Sequence, residues 1–505
     1  MERNLDNMIK DFKEFIKTIK QYNDAIGILY WDLRTGAPKK GVPERAEVIG
    51  MLSTEVFKMS TSKQMEEYLE YFSSSEINDK LDGIMRALTA EYKKEFDRFK
   101  KIPQEMYKEY VVLTSEAESV WEEAKNSNDF AMFSPYLEKI VKFNIDFIDI
   151  WGYKDNKYNT LLDYYEPGMT VEKLDKIFKH LREKIVPLVL KIKDSEYQPD
   201  DSVFKKHFDI KKQEEFSIYI LEKMGYDFEA GRLDESEHPF TMGITPGDVR
   251  ITTHYYPNLF SSALFSSIHE GGHALYEQNI SMDLSGTVLC TGTSMGIHES
   301  QSRFWENIIG RSYNFWKCYY KELLKVFPEQ FEGISLEQFY NAINKVEPSL
   351  IRVEADELTY NLHVMIRYEI EKALINQQIK VENLPQIWNE KMEEYLGVVP
   401  PDDAKGVLQD VHWSGGSFGY FPSYTLGNIY SAQLYNAIRR DMPDFDEHIS
   451  SGDMLKIKEW LVEKVHKHGK LLTPEEILRT VTGEEINPEY LVEYLENKYK
   501  AIYKL

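Results

Sequence analysis

Apolar residues recur at three- and four-residue steps along most of this chain. Over 5–30, Leu5, Met8, Ile9, Phe12, Phe15, Ile16 and Ile19 fall on one stripe with polar residues between them, the spacing of an amphipathic helix. The same period, with Glu/Lys-rich opposite faces, recurs over 80–125, 172–193, 210–224, 335–378 and 454–467. Residues 473–503 carry two shorter helical patterns. The first opens with Thr473-Pro474-Glu475-Glu476, where threonine can cap and proline suits the first turn. One segment breaks the rhythm. Gly, Pro and Thr cluster over 231–257, and Phe240–Ile244 and Asp248–Thr253 read as two short strands joined at Pro246-Gly247. Ser414–Gly419 is a second irregular stretch. With no internal repeat, low-complexity tract or linker, the pattern predicts one mainly α-helical body with a small β-hairpin or sheet.

Composition narrows function more than fold. The 505 residues exceed what a single growing core accommodates, so two or three lobes are a soft prior. Aromatic residues, 13% of the chain, supply ample core material. A net charge of -23 argues against nucleic acid or an anionic membrane as main partner, since both would be repelled. It leaves peptides and small neutral molecules open. Cys290 and Cys318, the two cysteines, exclude a disulfide framework. The opening residues lack a basic region followed by an apolar run, and no stretch approaches the ~20 apolar residues of a membrane span. The expectation is a soluble, cytoplasmic protein.

Chemistry concentrates at His269-Glu270-Gly271-Gly272-His273. Histidines at i and i+4 share one helix face, where both imidazoles can bind one zinc ion. Glu270 can then act as general base on a water at the metal and pass the proton to a leaving amine. A surface helix with two solvated histidines is the bland alternative. Leu264, Phe265, Ile268 and Leu275 around the motif argue for burial instead. Two helix-interior glycines, each costing about 1 kcal/mol relative to alanine, suit a backbone that something must approach closely. A catalytic zinc takes a third protein ligand. Glu299, 26 residues after His273 in Gly296-Ile297-His298-Glu299, is favoured, with His298 as competitor. Neighbours lie about 100° apart on a helix, so both cannot serve.

With these motifs in view, the chain resembles the carboxypeptidase Taq family of metallocarboxypeptidases, nearly end to end. The resemblance rests on His238-Pro239-Phe240, Asp248–Thr252, His269–His273, His298-Glu299-Ser300-Gln301, Ile351–Asp356 and Gly406–Trp413. Trp31-Asp32, Arg45-Ala46, Thr114–Ala117 and Trp121–Ala124 also fit. It implies removal of single residues from peptide C-termini with broad specificity. It also implies a divalent metal (zinc, replaceable by cobalt), a helical fold with a deep groove like that of neurolysin-type zincins, and a homodimer. By motif, His269, His273 and Glu299 become the ligands and Glu270 the base. The whole of 1–505 is then one catalytic domain, with two helical lobes flanking the groove.

A carboxypeptidase must hold a free carboxylate, which suits the planar fork of arginine. Arg352 is the first choice and Arg250 the second; His238 is placed as a groove-lining residue. Donors are also needed for the oxyanion. Ser414-Gly415-Gly416 through Tyr424 is similar to the His-x-x-Gly-Gly…Tyr stretch of thimet-type oligopeptidases. It offers Tyr424, then Tyr420, with His412 as auxiliary donor. Two other readings stay open: a thimet/neurolysin-type oligopeptidase, and a non-catalytic helical binding scaffold.

Overall fold

Helices dominate the computed structural model, which describes residues 5–505. The N-terminal stripe forms one helix, Leu5–Thr35, burying Met8, Phe12, Ile16 and Ile19. Pro103 lacks the N–H a continuing helix needs, so the 80–125 pattern becomes Gly83–Lys101 and Gln104–Ser127. Val171–Lys193 and Ile210–Met224 follow the expected spans. At the C-terminal end, Thr473 and Glu476 form a reciprocal capping box that starts Pro474–Thr482.

The 335–378 pattern requires correction. It yields two helices, Leu336–Ile343 and Tyr360–Ile375. Between them the chain turns irregularly, with a short 3-10 turn at Arg352–Glu354. Pro348 cannot continue a helix. The Asp356 carboxylate accepts from the backbone N–H of Glu347, Leu358 and Thr359, closing the loop locally. This break takes Arg352 out of any α-helix and into the short turn.

The hairpin is present and has a third strand. β1 (Gly231–Glu235), β2 (Thr241–Thr245) and β3 (Asp248–Thr253) lie in the order β1-β3-β2. β2 pairs antiparallel to β3, with a register irregularity at Gly243/Thr245, while β1 pairs parallel, Gly231 opposite Val249. β1 escaped the sequence pattern because Leu233 is its only large apolar residue. Val249 and Ile251 of the central strand are fully buried, and Thr253 Oγ1 bonds the Ala263 carbonyl at 3.2 Å. The sheet thus lies against Phe260–Gln278, the helix that carries both histidines of the metal motif.

That helix is buried by Phe260, Leu264, Ile268, Leu275 and Tyr276, each such side chain contributing about 1.5–3 kcal/mol. Its glycines permit two close approaches. A methyl at 271 would stand 2.5 Å from Leu221 Cδ2, and one at 272 would stand 2.7 Å from the Gln301 carbonyl oxygen. The second neighbour belongs to Met295–Arg303, which runs on into a π-helical turn, Phe304–Gly310. One contiguous apolar cluster joins Met8 near the start to Tyr503 near the end. No helix among the described residues is long and apolar enough to cross a membrane.

Candidate metal centre and active site

Helical spacing places His269 and His273 side by side, their rings 4.9 Å apart. Glu299 faces both: its Oε2 lies 3.6 Å from His269 Nε2 and 3.4 Å from His273 Nε2. One ligand atom from each residue falls within 4.8 Å of the others. Two imidazoles and a carboxylate at this spacing suit a divalent transition ion with an open fourth position.

The outer nitrogens fix which tautomer each histidine adopts. His269 Nδ1 lies 2.9 Å from Glu306 Oε2; a carboxylate accepts, so Nδ1–H donates and Nε2 keeps its lone pair. His273 Nδ1 lies 2.6 Å from His298 Nδ1, and His298 Nε2 lies 2.9 Å from Glu277 Oε1. The Glu277 carboxylate accepts from His298 Nε2–H, leaving His298 Nδ1 to accept from His273. Both Nε2 atoms are free to bind metal. His298, the competing ligand candidate, stands behind His273 rather than in the cluster. Such outer partners orient ligands and raise their basicity.

Arg303 closes the acidic side. Its Nε donates to Glu299 Oε1 at 2.6 Å and its Nη1 to Glu306 Oε2 at 3.2 Å, while Arg311 reaches Glu306 Oε1. Burial pushes the Glu299 and Glu306 carboxyls up. Arg303 outweighs it, with help from His269, His273 and Arg311, so both stay ionised and Glu306 falls to about 2. Burial lowers His273 to about 3. None of Arg303, Glu306, Glu277 or Thr241 was singled out from sequence. Arg303 alone carried a signal, four residues after Glu299 on one helix.

Glu270 emerges beside this cluster, 7% exposed. Thr241 on β2 donates to its Oε2 at 2.6 Å, so the sheet borders Glu270. Burial raises the Glu270 carboxyl above its ordinary value, with His269 and Thr241 opposing. A raised carboxyl suits a base working near neutral pH.

Tyr420 precedes the helix Pro422–Asp441 and Tyr424 lies in its first turn. His412 Nε2 lies 3.2 Å from the Tyr424 hydroxyl, and the Tyr420 and Tyr424 rings are 5.2 Å apart. Burial raises both phenols, Tyr420 to about 12, and both also feel the Glu299 charge. Glu371 holds the intervening loop, accepting from Tyr158, Trp413 Nε1 and the Gly419 backbone N–H at 2.5, 2.7 and 2.8 Å. Gly419 has φ +91° and would meet the Leu161 backbone if it carried a side chain, so glycine is required there.

Arg352 is brought to the same place. Its Cζ lies 4.9 Å from the Tyr424 ring centre, and its Nη1 donates to the Tyr360 hydroxyl at 2.9 Å. Asp410 accepts from Arg352 through Oδ1 and from Arg367 through Oδ2. This buried trio carries one more positive than negative charge. Burial with Arg352 lowers His412 to about 3, so His412 is neutral. Arg250 and His238 are placed elsewhere. Arg250 grips Asp248 with two bonds, at 2.7 and 2.8 Å, and lies over Trp31 in a pocket with Arg45, Arg232 and Asp234. His238 is exposed on the segment between β1 and β2.

Comparison with known proteins gives a consistent picture. The family model described as carboxypeptidase Taq (M32) metallopeptidase matches residues 11–499. Carboxypeptidase 1 of Bacillus subtilis is 51% identical over 496 residues, covering 98% of this chain and 99% of its own. Thermostable carboxypeptidase 1 of Thermus thermophilus is 39% identical, covering 95% and 96%. The solved M32 carboxypeptidase of Deinococcus radiodurans aligns with a TM-score of 0.95 at 33% identity, covering 99% of this chain and 100% of that one.

Proposed function

The chain belongs to the carboxypeptidase Taq (M32) family of metallopeptidases, and from that premise we propose that it releases single amino acids, with broad specificity, from peptide C-termini. It is a metallocarboxypeptidase by family; the roles of its own residues are our reading. His269, His273 and Glu299 would hold the ion, which we take to be zinc, with cobalt able to replace it. A bound divalent ion polarises the scissile carbonyl and acidifies water. Glu270, steadied by Thr241, takes the proton of the attacking water and hands it to the leaving amine. The hydroxyls of Tyr424 and Tyr420 donate to the oxyanion, with neutral His412 supporting Tyr424. The same reading makes the chain one catalytic domain with lobes flanking a groove, homodimeric and cytoplasmic; the free thiols of Cys290 and Cys318 suit a reducing compartment.

One observation carries the exopeptidase reading: the surplus positive charge of Arg352, Arg367 and Asp410 beside Tyr424. A guanidinium has five N–H groups. Asp410 and Tyr360 engage three of those on Arg352, leaving two for a substrate carboxylate. Arg250, already gripped by Asp248, is the weaker choice, and we place His238 on the groove wall. Digestion of one peptide as free acid and as C-terminal amide, followed by mass spectrometry, tests this. Stepwise loss from the free acid alone is expected. Equal cleavage of the amide, or cuts at internal bonds, would instead indicate an oligopeptidase.

A further inference from the structure

Glu299 reaches the imidazoles from a helix wedged between two others, and each neighbour meets it with a glycine. On one side stands Gly272 of the Phe260–Gln278 helix, against Gln301 and Ser302. On the other stands Gly427 of the Pro422–Asp441 helix. A methyl at 427 would lie 2.5 Å from Glu299 Cγ, 2.6 Å from its Cβ and 3.1 Å from its carbonyl carbon. Carbon atoms in contact prefer about 3.5–4.0 Å, so accommodating that methyl needs a shift of roughly 1 Å.

Nothing here lets the ligand step aside. Arg303 holds Glu299 Oε1 at 2.6 Å and Ser302 Oγ lies 3.2 Å from Oε2. Gln301 and Ser302 are fully buried. Gly427 itself sits in ordinary α-helix, where glycine costs about 0.5–1 kcal/mol relative to alanine. Backbone conformation therefore gives no reason for glycine; the approach of Glu299 does. Three residues earlier on the same helix is Tyr424, and residues three apart share a face.

We propose that Gly427 is a positioning residue: by lacking a side chain it sets how closely the Tyr424-bearing helix seats against Glu299. It thereby sets how far that carboxylate projects toward His269 and His273, and the spacing between ligand and phenol. The proposal rests on reading those three residues as the ligand set. Metal–ligand distances tolerate only about 0.2 Å, and misplacement by 1 Å can cost about a hundredfold in rate.

The test is Gly427→Ala, measured by chelator competition for zinc and by the visible spectrum of the cobalt-loaded protein. Zinc affinity should fall about ten- to a hundredfold and the cobalt spectrum should change. On a free-acid peptide kcat should drop more than KM rises, since Arg352 is untouched. Folded Gly427→Ala protein that binds zinc within about twofold of the unmodified chain overturns the proposal. Glu299→Gly separates the two readings: if it binds zinc as the unmodified chain does, the ligand assignment itself fails. Should Gly427→Ala not fold, the double variant Gly427→Ala/Glu299→Gly decides. Removing the Glu299 stem should restore folding, and a double variant as unstable as the single one refutes the steric account.

Discussion

Arg352 and Asp410 form a buried ion pair in which Nε and Nη2 both point at one oxygen, Oδ1, at 3.0 and 2.9 Å. The other oxygen, Oδ2, accepts from Arg367 Nε at 2.6 Å. Both Asp410 oxygens are therefore engaged, while two N–H groups of Arg352 are not. The aspartate orients a guanidinium that still has N–H groups to offer.

Replacing Arg352 with lysine keeps the charge and loses the fork. We expect KM for free-acid peptides to rise about ten- to a hundredfold, the equivalent of one charged hydrogen bond of about 1.5–3 kcal/mol. Zinc affinity should not change. Steady-state kinetics alongside metal titration checks this, and an unaltered KM would move the carboxylate site away from Arg352.

Thr241 donates to Glu270 at 2.6 Å, which separates two effects on the base. Glu270→Gln should retain metal and lose about 10²–10⁴ in kcat. Thr241→Val should lose less, and Thr241→Ser, which restores the hydroxyl, should recover most of it. If Thr241→Ser is as slow as Thr241→Val, the hydrogen bond does not position Glu270.

His298 accepts from His273 only while Glu277 holds its other nitrogen. His298→Phe keeps a ring and removes the acceptor. Zinc affinity should fall about ten- to a hundredfold, measured by chelator competition, with melting of the metal-free protein little changed. Unaltered affinity would show that the His273 tautomer needs no such partner.

Glu166 gives a pH prediction. It is fully buried, accepts from the Tyr430 hydroxyl and the Gly296 backbone N–H at 2.7 and 3.0 Å, and sits at the start of the Glu299 helix. Burial raises its carboxyl from 4.5 to about 7, against the opposing bonds from Tyr430, Ser294 and Gly296. A raised acid keeps its proton in the fold after the unfolded chain has released it. Its contribution to stability is thus present at low pH and lost as pH climbs from about 4.5 through 7. Glu166→Gln should be more stable than the parent at pH 8, by about 1–3 kcal/mol, and equal near pH 4.5. Thermal melts of metal-free protein at both values read this, and a gap independent of pH would refute it.

Legibility followed the range of each interaction. Helices such as Ile210–Met224 were readable because their period repeats within a few residues. The chain between Leu336–Ile343 and Tyr360–Ile375 carries a helical period yet is not helix, since Asp356 closes that loop by bonds to backbone on both sides of it. β1 has no strand pattern of its own, because its partner strand, not its own residues, makes it a strand.

The same division runs through the site. The sequence alone determined that His269 and His273 share a face, that Glu270 stands next to them, and that two glycines there must serve close packing. All three follow from the 3.6-residue turn of a single helix. It also brought Glu299, Arg352 and Tyr424 forward by motif, with no distance between any two of them. Only the tertiary structure decided that His298 backs His273, that Glu306 holds His269, that Asp410 is shared by two arginines, and that Gly427 bears on Glu299. Those partners lie on different helices and loops. Their meeting depends on how elements pack, and no periodicity within one element encodes that.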